Sequence, residues 1–169
     1  MLRWLFRREL EKLPPARVYY LDECGVDHRL HREYGRAPRG ERIYATVAGQ
    51  RRERTSVIAA CQNGKLVDPL TFAGTCNTEV VDVYFEKVLL PALPAGSVIV
   101  LVNARFHQSP TTAVLVAAAG CQLLFLPSYS PDLNPIEHLW AAVKTRLRQG
   151  LPTAANPALL VVTICPCYC

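Results

Sequence analysis

Apolar positions cluster and recur along this chain in ways that mark out most of its elements. Residues 18–21, Val-Tyr-Tyr-Leu, are β-branched and aromatic and follow Pro14-Pro15. They predict a first strand that ends at Asp22-Glu23 and is broken by Gly25. The apolar stretches 43–48 and 55–60 read as further strands. Asn63-Gly64 lies between two apolar runs, the strongest short hairpin signal, with 66–72 as the return limb. Pro69 assigns that limb to a sheet edge, because proline has no N–H to give a neighbouring strand. Val81, Tyr84, Phe85, Val88 and Leu89 then recur at helical spacing. Asn77 or Thr78 can cap that helix, and it should stop before Pro91.

Residues 98–102 are apolar without a break, as in a strand covered on both faces. Ser109-Pro110 opens another helix, which runs to a stop at Gly120. A short strand over 121–126 follows, and Ser130-Pro131-Asp132 turns the chain. Asn134 and Pro135 start the last helix, as N-cap and first helical residue. Its apolar stripe is Ile136, Leu139, Trp140, Val143 and Leu147. Glu137 stands three residues after the cap, where it can close a capping box or keep its carboxylate for chemistry. Hairpin-linked strands first and strands alternating with helices afterwards predict a mixed α/β sheet with helices on both faces.

Composition narrows the class. The chain has 169 residues, half hydrophobic and a fifth charged, enough for one globular core. The basic, amphipathic opening predicts a docking helix within 1–15, ahead of a body over 16–150. The segment 151–169 is an atypical tail. Its last eleven residues, LLVVTICPCYC, match no element of such a fold, and Cys165, Cys167 and Cys169 are spaced too closely for zinc. Seven cysteines without paired spacing, and no secretory signal, suggest reduced thiols in a cytoplasm. The longest apolar tract, 113–126, is interrupted by Gly120 and Gln122 and too short to span a bilayer. A net charge of +5 favours a polyanionic partner such as DNA. Arg36, Arg39, Arg42, Arg51, Arg52 and Arg54 are concentrated in one stretch. They form either a solvated loop or an edge that contacts phosphates.

The segment 128–140, SYSPDLNPIEHLW, resembles the end of the catalytic domain of DDE transposases. The branch is the one that joins mariner elements with bacterial insertion sequences. Asp132, Asn134, Pro135, Ile136, Glu137 and Trp140 match its Pro-Asp-x-Asn-Pro-Ile-Glu-x-x-Trp pattern. Leu21-Asp22-Glu23-x-Gly25 looks like the family's first catalytic motif. The resemblance covers about residues 5–155. It implies a ribonuclease-H-like (retroviral-integrase-like) fold, a mixed five-stranded sheet with helices on both faces. The function it implies is that of a metal-dependent DNA endonuclease and strand transferase, using Mg²⁺ or Mn²⁺. Complete members carry helix-turn-helix segments upstream, so recognition of transposon ends is expected to lie outside this chain.

Phosphodiester cleavage in such a fold uses two hard cations held by several carboxylates from different elements. The resemblance makes Asp22 and Glu137 the catalytic, metal-binding residues, although Asp22 alone would pass for an ordinary turn residue. The family's second position is an aspartate before Asn-Ala-x-x-His. Here Asn103 to His107 is intact, but Val102 stands in the aspartate's place, and no carboxylate lies between Glu86 and Asp132. Asn103 is neutral and expected to point away from position 102, as Glu23 should point away from Asp22. His107 is either a hydrogen-bonding neighbour of the site or a structural histidine. The expectation is therefore a degenerate transposase domain, cytoplasmic and nucleoid-associated, with DNA and a second transposase subunit as partners. The alternative is a non-catalytic DNA-binding or dimerising module that regulates an active transposase.

Overall fold

The architecture comes from a computed structural model that describes residues 2–27, 36–44, 54–150 and 157–165. Helix α1 (Leu2–Glu11) leads into β1 (Val18–Asp27), followed by β2 (Arg54–Gln62) and β3 (Lys65–Ala73). Helix α2 (Thr78–Tyr84) continues through a π-helical turn, Phe85–Leu89, into α3 (Leu90–Ala92). Then come β4 (Val98–Leu101), α4 (Pro110–Ala118), β5 (Gln122–Phe125), α5 (Ile136–Gly150) and α6 (Pro157–Ile164). The five strands form one sheet in the order β3-β2-β1-β4-β5. β1 runs antiparallel to β2 and parallel to β4, and β4 runs parallel to β5. The mixed sheet has helices on both faces.

Local chemistry accounts for the joins. Asn63 and Gly64 both take positive φ, as a two-residue hairpin turn requires. β3 is an edge strand, where Pro69 costs no ladder bond. The side chain of Asn77 accepts from the Val80 amide at 2.9 Å and caps α2. Ser109 Oγ does the same for the amides of Thr111 and Thr112 at the start of α4. Gly120 ends that helix with φ of 67°.

Several expectations are corrected. β1 does not end at Glu23: Gly25 stays inside it, paired with Ser56, and the ladder to β2 continues to Asp27. A side chain at Gly25 would collide with the Arg54 guanidinium, which fills the space above it. The helix over 78–92 passes Pro91, because proline falls at the start of its last short segment, where a missing N–H breaks no bond. Of the expected strand 43–48, residues 45–48 lie outside the described residues, while Ile43 and Tyr44 are exposed and not in a strand.

The core has two layers and an annex. On one face Tyr19, Leu21, Ile58, Ile99 and Leu101 meet Val81, Tyr84, Phe85 and Leu89. On the other, Cys24, Val26, Val57 and Ala59 meet Ile136, Trp140, Val143 and Leu147 of α5. The annex seats Phe6 of α1 against Val18, Val100 and Leu126. No helix among the described residues is long and apolar enough to cross a membrane.

The tail also differs from expectation. Residues 157–164 are helical, and Val161, Ile164 and Cys165 are buried in the layer built around α5. A run this apolar has little amphipathic signal of its own, so only its packing partner reveals it. Val161→Ala should cost about 2 kcal/mol by leaving a cavity. Deleting residues 159–169 should cost more. Chemical denaturation measures both, and an unchanged midpoint for the deletion would mean that α6 contributes nothing.

Candidate functional site

A cleft opens where the parallel ladder between β1 and β4 stops. Pairing runs from Val18↔Val98 to Leu21↔Leu101, so Asp22 and Val102 are the next residues on neighbouring strands. Alternation groups Asp22 with Tyr20 and Cys24, and Val102 with Val100, on the face that α1 and α5 cover. Glu137, in the first turn of α5, lines with Val102 a cleft of about 370 Å³. Asn103, Leu126, Tyr129 and Ser130 complete much of its wall.

Asp22 is only 8% exposed. Burial, followed by the negative charge of Glu23, pushes its carboxyl up to about 7, and Glu137 adds to the effect. The Glu23 amide and the nearby His107 oppose it. Asp22 and Glu137 are thus brought within electrostatic reach of one another. Their elements come from opposite ends of the chain.

Glu137 is not absorbed by helix capping. The Asn134 amide donates to Pro131 O at 2.9 Å, so it is not available for a capping box. The Asn134 side chain caps nothing: it is 2% exposed, and neither of its amide atoms has a partner. The short helical turn over Pro131–Leu133 draws that residue inward, and the start of α5 is closed by backbone bonds instead. The N-cap role expected of Asn134 is therefore corrected. The Glu137 carboxylate is left exposed, with no hydrogen bond or ion pair among the described residues.

At the second position Val102 is half-buried against the cluster of Phe6, Val18, Val100 and Leu126. Asn103 lines the same cleft, contrary to expectation, because β4 has ended and strand alternation no longer applies. Its side-chain oxygen accepts from Gln108 Nε2. His107 is fully buried behind the cleft. Its Nδ1 donates to the Val102 carbonyl at 2.9 Å, and Nε2 stands 3.2 Å from Glu23 Oε2, in oblique ion-pair contact rather than an aligned hydrogen bond. Burial works to lower the His107 pKa, but the Glu23 carboxylate outweighs it and the net shift is upward. Glu23 faces away from Asp22, as expected.

Arg36, Arg39, Arg42 and Arg54 are exposed, and none lines the cleft. Arg51 and Arg52 lie outside the described residues. Two features escaped sequence reasoning. Arg3 of α1 pairs with Asp132 and reaches Ser130 Oγ, which ties the N-terminal helix to the turn before α5. Tyr129 stands at the cleft with its side chain free. Opposite charges 129 positions apart carry no sequence signal, and turn chemistry alone does not reveal an exposed ring.

The donors do not fit a two-metal centre. Among the described residues no three His, Cys, Asp or Glu side chains form a group that could hold a metal ion. Glu137 lines the cleft together with an apolar Val102, while Asp22 is buried and is not among the lining residues.

A family model described as DDE superfamily endonuclease matches residues 17–158. No curated protein is similar enough to match. Among solved structures, the Mos1 strand transfer complex aligns with a TM-score of 0.63 at 16% identity, covering 98% of this chain and 56% of that one. The mariner Mos1 paired end complex with Mg gives 0.61 at 17% identity, covering 95% and 55%. The catalytic domain of Mos1 mariner transposase gives 0.54 at 15%, covering 95% and 81%. The chain thus spans little more than half of the longer neighbours. The likeness establishes the ribonuclease-H-like fold.

The buried carboxyl makes stability depend on pH. Asp22 keeps its proton up to about 7 in the folded chain but ionises near 3.8 when unfolded. The folded state therefore binds more protons in that window, and stability should fall as pH rises through it. At about 1.4 kcal/mol per unit, the loss is roughly 4 kcal/mol. His107, whose pKa is also raised, extends the decline above its ordinary value of 6.5. Asp22→Asn should flatten the slope between pH 4 and 7 and raise the melting temperature at pH 7.5. A wild-type melting temperature that climbs with pH over that window would contradict the burial of Asp22.

Proposed function

The chain belongs to the DDE superfamily of endonucleases, and from that premise we propose that it is the catalytic domain of a DNA transposase that has lost catalysis. The observation that carries this reading is the cleft itself. Glu137 and Val102 line it, and the buried Asp22, one residue past the end of the β1–β4 ladder, feels the charge of Glu137. Each carboxylate is where a phosphodiester-cleaving site of this fold would need an oxygen ligand. Mg²⁺ or Mn²⁺ would be the cation supplying Lewis acidity and an activated nucleophile in a complete site. A valine in place of the second carboxylate would remove charge and ligand together, so this copy is inert as written. Its substrates by descent are transposon ends and target DNA, in the bacterial nucleoid, as part of an insertion sequence.

A second reading is favoured by the exposed arginines. Arg36, Arg39, Arg42 and Arg54 leave their charges free of the cleft, as a module that grips DNA without cutting it would require. Paired with an active transposase subunit or with itself, such a module regulates by occupying ends.

Two experiments test these readings. Val102→Asp should lower the metal-free stability by about 1–3 kcal/mol, because it adds a partly buried charge. It should also make the melting temperature respond to millimolar Mn²⁺, since stabilisation follows RT ln(1 + [L]/Kd), while the unmodified chain responds little. Tight Mn²⁺ binding by the unmodified chain in calorimetry would sink the first reading. For the second, replacing Arg51, Arg52 and Arg54 together should flatten the salt dependence of duplex binding, by about 0.9 in log–log slope per lost phosphate contact. An unchanged slope would return those arginines to the solvent.

A further inference from the structure

Tyr129 is the most conspicuous side chain at the cleft that nothing so far employs. It is 98% exposed and packs in no core layer. Its φ is 55°, a left-handed conformation that an aromatic residue adopts only under constraint from its surroundings. The constraint is visible on both sides. Ser130, buried, donates from Oγ to Ser128 O at 3.3 Å and accepts from Arg3 Nη1 at 3.3 Å. Arg3 also pairs with Asp132, and the Leu133 amide donates to Ser130 O at 3.1 Å. The backbone is therefore fastened while the ring stands free, beside the wall that carries Val102, Asn103 and Glu137.

We propose that Tyr129 is a stacking platform for an unpaired nucleotide base at the mouth of the cleft. This rests on the reading of the chain as a DNA-handling domain. An exposed ring held in a strained turn contributes nothing to the fold and presents a rigid π-face at little entropic cost. Bases stack on such faces without regard to sequence, because every base has one. The exposed Glu137 carboxylate on the same wall repels phosphates, so a neutral contact is the one suited to hold a strand there. Seen this way, Tyr129 is a positioning residue that binds the base and takes no part in bond cleavage.

The test uses the full chain, in EDTA, with two labelled DNAs. One is a blunt duplex, and the other carries a single-stranded extension containing 2-aminopurine. Tyr129→Ala should weaken binding of the extended DNA by about tenfold or more, with the salt slope unchanged. Tyr129→Trp should restore binding and the quenching of 2-aminopurine. Tyr129→Gly, which relieves the left-handed strain, should raise the melting temperature yet bind as poorly as the alanine variant, separating binding from folding. If the wild type binds the extended DNA and Tyr129→Ala binds it equally, the stacking role is overturned while the DNA reading stands. A drop in salt slope with Tyr129→Ala would also overturn it, since the ring would then act through phosphate contacts. If the wild type binds neither DNA, the DNA-handling reading itself fails.

Discussion

Everything at the cleft depends on where the β1–β4 ladder ends. Those parallel strands stay paired only from Val18↔Val98 to Leu21↔Leu101, while β1 goes on with β2 to Asp27. Asp22 is thus paired with Ala59 on one side and lies just past the last β4 pair on the other. Open α/β sheets place their binding crevices at the carboxyl ends of parallel strands for this reason. β4 ends at Leu101, and the chain after it is fastened differently: His107 Nδ1 holds the Val102 carbonyl at 2.9 Å. A buried histidine behind the sheet therefore fixes the height at which residue 102 meets the cleft. α5 supplies the third side, seated by Ile136, Trp140, Val143 and Leu147.

The electrostatics of that geometry are unfavourable without compensation. Asp22 lies in a site dry enough to raise its carboxyl to about 7, and Glu137 adds negative charge. A third carboxylate at position 102 would deepen the conflict, which a retained proton or a cation would have to relieve. Valine relieves it in another way, by removing the charge and packing on Phe6, Val18, Val100 and Leu126. Behind the sheet, Glu23 and His107 form a pair of opposite character, in which the raised histidine pKa favours the doubly protonated ring. Nδ1–H is then satisfied by the Val102 carbonyl, while Nε2–H faces the Glu23 carboxylate in ion-pair contact without an aligned hydrogen bond.

Much of this was legible in the sequence, and the failures share a cause. Periodicity located the strands over 98–101 and 122–125 and the apolar stripe of α5, because each buries a face whose spacing shows in the residue order. Asn63-Gly64 and Asn77 act through neighbours only, and both were readable. Gly25 was misread because its strand is kept intact by Ser56 on β2, a partner 31 positions away. Asn134 was misread because a short helical turn before it consumes the amide that a capping box needs. α6 was missed because its burial depends on α5, and Asn103 because alternation lapses where a strand ends. The grouping of Asp22, Val102 and Glu137 as one candidate site came from resemblance to a family, and no spacing in this chain would have produced it alone.

Most of the residues that make the family recognisable serve the fold. Within 128–140, Ile136 and Trp140 are core, Asn134 and Ser130 are buried in the turn, and Asp132 ties the turn to Arg3. Glu137, like Tyr129, is left exposed with no structural duty among the described residues. The positions proposed as catalytic are not ones the fold depends on: a buried Asp22 costs stability at neutral pH, and valine at 102 packs on its neighbours. Folding therefore preserves the motif whether or not a metal site survives within it. It follows that resemblance through this segment reports the ribonuclease-H-like scaffold faithfully, while activity has to be read from the few positions that packing does not protect. On the reading proposed above, those positions in this chain are Asp22, Val102 and Glu137, with Val102 standing where the family resemblance expects an aspartate.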